Sequence, residues 1–240
     1  GAMPVATVAA WRAAIPHARL FLMYGLAEAF RSTYLPPEEL DRRPDSMGRA
    51  IPNAEVLVVR PDGSLCAPGE PGELVHRGAL VALGYWNDPA KTAERFRPAP
   101  GQDPALPITE LAVWSGDTVR MDEEGYLYFI GRTDDMIKIS GYRVSPTEVE
   151  EGAHASGLVA EAAAFGVPHP VLDQAIVLLA VAREASLTEA ALLRECQRRL
   201  PAYMVPGHIA LVDGPFPRNP NGKIDRKLLQ QSYSTLFESA

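Results

Sequence analysis

The chain has 240 residues, 47% hydrophobic and 22% charged, enough to bury a core in one large domain or two small ones. Its 23 Lys and Arg against 30 Asp and Glu leave a net charge of −7, which offers no basic footprint for nucleic acid or for an anionic membrane surface. No apolar run reaches the ~20 residues of a membrane span, and Cys66 and Cys196, far apart and without metal-ligand spacing, read as reduced thiols of a cytoplasmic protein.

In chain order, Gly1-Ala2-Met3 reads as a cleavage scar and carries no fold information. Val8 to Ala14 is Ala-rich and helix-compatible. Arg19 to Tyr24 is a nearly continuous apolar run before Gly25 and predicts a buried strand. The polar stretch from Pro36-Pro37 through Arg43-Pro44-Asp45 predicts an exposed loop. From about Ile51 to Gly131 the texture is β. Residues 55–60 and 73–78 are strands, with Pro61-Asp62-Gly63 as a turn between them. Val113-Trp114 and Thr118 to Met121 flank a tight bend at Ser115-Gly116-Asp117. Asp122 to Gly125 turns the chain into Tyr126 to Ile130. Short strands with regular turns suggest a sandwich or barrel-like unit.

Past Gly131 the pattern changes. Met136 to Ser140 alternates like a half-buried strand. Ser145-Pro146-Thr147-Glu148 is a capping box opening a helix to about Ser156. Strands follow near residues 162–167 and 175–182. Ser186-Leu187-Thr188-Glu189 forms a second capping box, whose helix carries Leu192, Leu193, Cys196 and Leu200 on one stripe before Pro201 stops it. A last strand, 208–212, leads into a Pro-rich loop, and Asp225 caps a final helix. The fold expected is mixed α/β: a β-rich, barrel-like subdomain followed by a small α+β domain, divided near residues 131–136.

Four segments carry polar groups suited to chemistry. YGLAE (24–28) sets Glu28 behind a strand, where a carboxylate holds Mg²⁺ or merely starts a helix. WSGD (114–117) sets Asp117 at a bend, where it accepts sugar hydroxyls or closes a turn. GRTDDMIKISGYRVSPTEVE (131–150) clusters Arg132, Asp134 and Asp135 at a turn, and Gly141 breaks the next strand where bulk would block a close approach. NPNGKIDR (219–226) presents one ammonium, Lys223, on a rigid turn.

In this order and spacing the four segments resemble the YGxTE, (Y/F)RxGD, GRxDxxIKxxGxRIxxxEIE and PxGKxxR motifs of the adenylate-forming superfamily. The chain looks like the C-terminal portion of an AMP-forming acyl-CoA ligase. The resemblance implies residues 1–131 as the end of a large domain, 132–136 as a hinge centred on Asp134, and 137–240 as a small mobile domain. It implies Lys223 as the catalytic lysine, Asp117 as the ribose ligand and Arg132 at ribose or phosphate. Tyr24 would stand beside adenine and phosphate, Glu28 would hold Mg²⁺, and Gly141 would line the CoA channel. ATP, Mg²⁺ and CoA are the implied small molecules, with a fatty or related acid as substrate. Two alternatives remain: loading a phosphopantetheine arm on an acyl carrier protein, or a catalytically dead module that only binds a nucleotide or partner. Two departures stand out. Ala27 replaces the family threonine, and the Gly/Ser/Thr-rich phosphate loop has no counterpart here. The chain is therefore expected to be a piece of a longer protein, inactive in adenylation alone.

Overall fold

The computed structural model describes residues 3–103, 105, 107–220 and 222–237, so Gly1, Ala2 and Asn221 of the segments above lie outside the described residues. The chain divides into two units, one ending at Thr133 and one starting at Asp134.

The first unit opens with α1 (Val5–Ala14), of which only Val8 is buried. Its strands are β1 (Leu22–Leu26), β2 (Ala29–Leu35), β3 (Ser46–Ala50), β4 (Ala54–Val59) and β5 (Gly72–Gly78). Helix α2 (Pro89–Arg95) follows, capped by Asp88. Then come β6 (Phe96–Pro98), β7 (Leu111–Met121) and β8 (Leu127–Arg132). They form one sheet in the order β1-β2-β3-β8-β7-β5-β4, with β6 on β7 and every pairing antiparallel. No pairing among the described residues joins β1 to β4, so the barrel-like unit expected is an open sheet. Val56, Val58, Leu74, Val119 and Leu127 fill its main core.

Three expectations change here. The run 19–24 is an edge strand rather than a buried one: Leu22, Tyr24 and Leu26 face inward while Phe21 and Met23 stay about half exposed. A terminal strand with one covered face needs only alternate residues apolar. Residues 113–121 are one strand, without a turn at 115–117. Gly116, at φ +73°, bulges β7 outward, and β7 spends more residues than β5 between the pairs Val75–Trp114 and Glu73–Thr118. Arg43, read as part of an exposed loop, is buried. It bonds Glu39, Asp122, Glu124 and Tyr128 and lies over the Tyr126 ring, 4.1 Å from its centroid. Its partners at 122–128 arrive from beyond five intervening strands. Burial pushes the Asp122 carboxyl up, but the Tyr126 amide, the Tyr128 hydroxyl and Arg43 outweigh it and hold the group below the usual carboxylate range.

The second unit holds β9 (Ile137–Ile139), β10 (Tyr142–Val144), α3 (Pro146–His154), β11 (Val159–His169), β12 (Asp173–Ala182), α4 (Glu189–Arg199), β13 (His208–Leu211) and α5 (Arg226–Ser232). The sheet runs β10-β9-β12-β11, with β13 pairing in parallel with Val177–Ala180 of β12 on the edge away from β11. Strands β11 and β12 read as continuous apolar runs because both faces are covered. Ala162, Ala164, Ile176, Leu178 and Ala180 meet Val149 and Ala153 of α3 and Leu192 and Cys196 of α4. The alternate residues, Ala163, Phe165, Val167, Val177 and Leu179, pack under Phe216 and the Leu229 and Tyr233 side chains. The stripe expected on α4 is thus its buried face. Cys66 and Cys196 are free thiols, and burial pushes Cys196 up to about 11.

Both capping boxes are revised. Ser145 precedes α3 and its amide donates to the Glu148 carboxylate, but its hydroxyl is buried and makes no hydrogen bond among the described residues, so only half of that box forms. Thr188, not Ser186, caps α4, its hydroxyl accepting from the Ala191 amide. Thr188→Ala is expected to cost about 1 kcal/mol by urea denaturation, while Ser186→Ala costs almost nothing. Asp225 caps α5 as expected, accepting from the Leu228 amide.

Candidate active site

Asp117 and Arg132 are directly opposite in the β7–β8 register. Cross-strand neighbours on one face meet without further design. The Arg132 guanidinium donates to Asp117 Oδ1 at 2.9 Å, and the Tyr24 hydroxyl donates to Oδ2. The Ser115 hydroxyl accepts from the Asp117 amide at 3.0 Å and donates to the Leu74 carbonyl at 2.7 Å, which fixes the bulge. Asp117 is buried, whereas the Arg132 side chain is 40% exposed. A polar triad of strand residues therefore ends in a half-open guanidinium. Burial, reinforced by the Asp117 charge, pushes the Tyr24 hydroxyl well above the usual phenol range, so it remains a donor. A Cβ on Gly116 would stand 2.4 Å from Arg95 Nη1 and 3.2 Å from Arg132 Nη2. Glycine leaves room for two guanidinium groups at that corner. Arg95 carries no motif signal, and sequence reasoning missed it.

Glu28 lies in the two-residue turn between β1 and β2, with Leu26 paired to Ala29, and it starts no helix. Gly25 is required just before it, because a Cβ would meet the Arg31 amide nitrogen at 2.2 Å. The Tyr85 hydroxyl donates to Glu28 Oε1, and burial together with that carboxylate pushes Tyr85 up to about 12. Ala27 is exposed in the same turn.

His76, on β5, was also missed. It is fully buried, and its ring stacks on Tyr24 at 5.9 Å with 19° between planes. Neither ring nitrogen has a hydrogen-bond partner among the described residues. Burial pushes it down to about 4, partly opposed by Glu28. The fold thus accommodates the neutral ring, while the unfolded chain titrates near 6.5. Its contribution to stability is complete above that value and disappears as pH falls towards 4. The loss is about 3 kcal/mol. Urea titrations of His76→Leu between neutral pH and pH 4 should show that part of the slope removed.

The remaining candidates belong to the second unit. Lys223 is exposed at the end of a tight turn: its amide donates to Asn219 Oδ1 at 3.1 Å and its carbonyl accepts from the Asn219 amide at 2.8 Å. Asp134 is exposed in a short helical turn, Thr133–Asp135. Gly141 completes the two-residue turn between β9 and β10, with Ser140 at φ +47° and Gly141 at +84°. Nothing in the chain lies within 4 Å of a Cβ built there, and the positive φ by itself favours glycine.

Residues 1–86 match the family described as AMP-binding enzyme, and residues 148–223 match its companion, the AMP-binding enzyme C-terminal domain. The chain belongs to the AMP-binding enzyme family. Among family relatives, it is 36% identical over 231 residues to a long-chain-fatty-acid–CoA ligase of Escherichia coli O157:H7, covering 96% of this chain and 39% of that protein. It is 35% identical over 228 residues to an L-proline–[L-prolyl-carrier protein] ligase of Pseudomonas fluorescens, covering 93% and 42%. The ATP-bound structure of MatB from Rhodopseudomonas palustris superposes with a TM-score of 0.85 at 29% identity, covering 99% of this chain and 45% of that one. The chain thus spans well under half the length of these AMP-binding enzymes. No helix among the described residues is long and apolar enough to cross a membrane.

Proposed function

We propose that the chain is the nucleotide-gripping and lysine-bearing part of an ATP-dependent acid–thiol ligase. A carboxylate oxygen attacks the α-phosphorus of ATP, the bond to pyrophosphate breaks, and acyl-AMP forms. A thiolate then attacks the acyl carbon and AMP leaves. The carrying observation is the buried Asp117 between the Tyr24 and Arg132 donors. Each Asp117 oxygen keeps a lone pair able to accept a ribose hydroxyl, and the Arg132 side chain is 40% exposed towards ribose or phosphate. Tyr24 supplies a flat wall beside the nucleotide.

Lys223 acts as the cation that stabilises charge at the α-phosphate, a role that moves no proton and suits an ammonium on a rigid turn. Asp134 serves as the hinge that exchanges Lys223 for the Gly141 loop between half-reactions, with that loop lining the channel for the thiol. Glu28 fits Mg²⁺, since this ion is commonly held by one or two carboxylates with substrate phosphates completing its shell. When bound there it would neutralise the departing pyrophosphate. Tyr85 orients the Glu28 carboxylate.

The closeness to a fatty-acid–CoA ligase favours a fatty or related acid and free CoA as acceptor. The carrier-protein ligase at nearly equal identity supports a phosphopantetheine acceptor as the second reading. Incubating the intact ligase with ATP, Mg²⁺ and a panel of acids, then with CoA or a carrier protein bearing a free phosphopantetheine thiol, tests both. Acid-dependent pyrophosphate release with thioester on CoA is the expected result. Hydrolysis of ATP without acid dependence would refute the proposal, and thioester only on the carrier would select the second reading.

A further inference from the structure

The turn bearing Lys223 is braced from outside its own hydrogen bonds. Residues 217–220 and 222–225 form the arms of a miniature hairpin: the Asp225 amide donates to the Pro217 carbonyl at 2.8 Å, Arg218 bridges Ile224, and the Gly222 amide donates to the Asn219 carbonyl at 2.8 Å. An arginine stands on one arm and another just beyond the other. Arg226, just past one arm, forms a two-pronged pair with Glu150 at 3.0 and 2.7 Å. Arg218, on the other arm, donates to Glu161 at 2.6 Å. Both carboxylates are tied to β11. Glu150 also accepts from the Ala164 amide at 2.8 Å, and Glu161, a residue of β11 itself, accepts from the Phe216 amide at 3.2 Å.

We propose that Glu150 and Glu161 are positioning residues for Lys223, which clamp the two arms of its turn onto β11 and so fix where the ammonium points. The inference rests on the reading of Lys223 above, but its geometry stands apart from it. A two-pronged pair on one side and a single charged hydrogen bond on the other hold the hairpin at two points, which leaves it less freedom to rock or slide than a single anchor would. The Glu150 pair is the stiffer one: the carboxylate is nearly buried and accepts from three donors, so its oxygens have no freedom to follow a moving arginine. The function of such stiffness is clear for a flexible lysine stem. Most of its rotamer freedom must be spent in finding the phosphate, and the backbone under it should not add more.

Amide hydrogen exchange on the 240-residue chain tests the clamp directly. In Glu150→Gln and in Glu161→Gln, the amides of Gly222 and Lys223 should exchange about tenfold faster, while those of β12 stay within about twofold of the unchanged chain. Glu161→Gln, at a more exposed pair, serves if Glu150→Gln fails to fold. Unchanged exchange at Gly222 and Lys223 in the folded variants overturns the proposal. In the intact ligase the same variants should lower kcat for adenylation about tenfold, with KM for ATP held and transfer of preformed acyl-AMP spared. An equal fall in both half-reactions also overturns it. If Lys223→Ala itself leaves adenylation intact, the reading of Lys223 fails while the exchange result still judges the clamp.

Discussion

Lys223→Ala in the intact ligase should lower acid-dependent ATP–pyrophosphate exchange about 10²–10³-fold, the usual cost of losing one preorganised charge at a reacting centre. Transfer from synthetic acyl-AMP to the thiol should stay within about twofold, because the attack is at the acyl carbon and, in the proposed cycle, the hinge has by then exchanged Lys223 for the Gly141 loop. The split follows from the residue's setting. The ammonium is exposed on a turn, no ion pair with a carboxylate is seen for it among the described residues, and the backbone of Lys223 is held by bonds to Asn219 that alanine preserves. Folding should therefore be untouched, and an unchanged melting temperature is the control. Lys223→Arg should recover little, since a planar fork does not replace a compact point charge.

The second large effect concerns Asp117. Asp117→Asn keeps the shape of the side chain and removes its charge. Hydrogen bonds to a charged acceptor are worth about 1.5–3 kcal/mol, so AMP affinity should fall about 10- to 100-fold by calorimetry. The variant also leaves the Tyr24 hydroxyl and Arg132 facing an amide in place of an anion. Tyr24→Phe should cost less than Asp117→Asn, because it removes a donor and leaves the carboxylate its arginine. A loss with Tyr24→Phe as large as with Asp117→Asn would mean that Tyr24, and not the carboxylate, grips the nucleotide.

Much of this was readable in the sequence, for identifiable reasons. Motif residues cluster because β7 and β8 are adjacent strands, so Asp117 and Arg132, fifteen residues apart, fall opposite each other. The α/β texture beyond Gly131 was legible because β11 and β12 are apolar on both faces and α4 on only one. What stayed hidden depended on partners far along the chain. Arg43 looks like any loop arginine until Asp122 and Glu124, about eighty residues on, come to meet it. His76 looks like an outward histidine in a strand, yet it is sealed beneath Tyr24 from β1. The Ser145 motif forms only half of its box, the Glu148 carboxylate accepting from the Ser145 amide while the Ser145 hydroxyl makes no bond among the described residues. Glu150 and Glu161 carry their meaning only once Arg226 and Arg218 arrive from more than fifty residues away.

The grip of Asp117 on a nucleotide's sugar is most directly tested by titrating the isotopically labelled chain with AMP and, in parallel, with the analogue lacking both ribose hydroxyls. Saturable shifts at the Gly116, Asp117 and Arg132 amides with AMP, and far weaker ones with the analogue, are the predicted result. Identical responses to the two ligands, or shifts confined to residues away from β7 and β8, would contradict it.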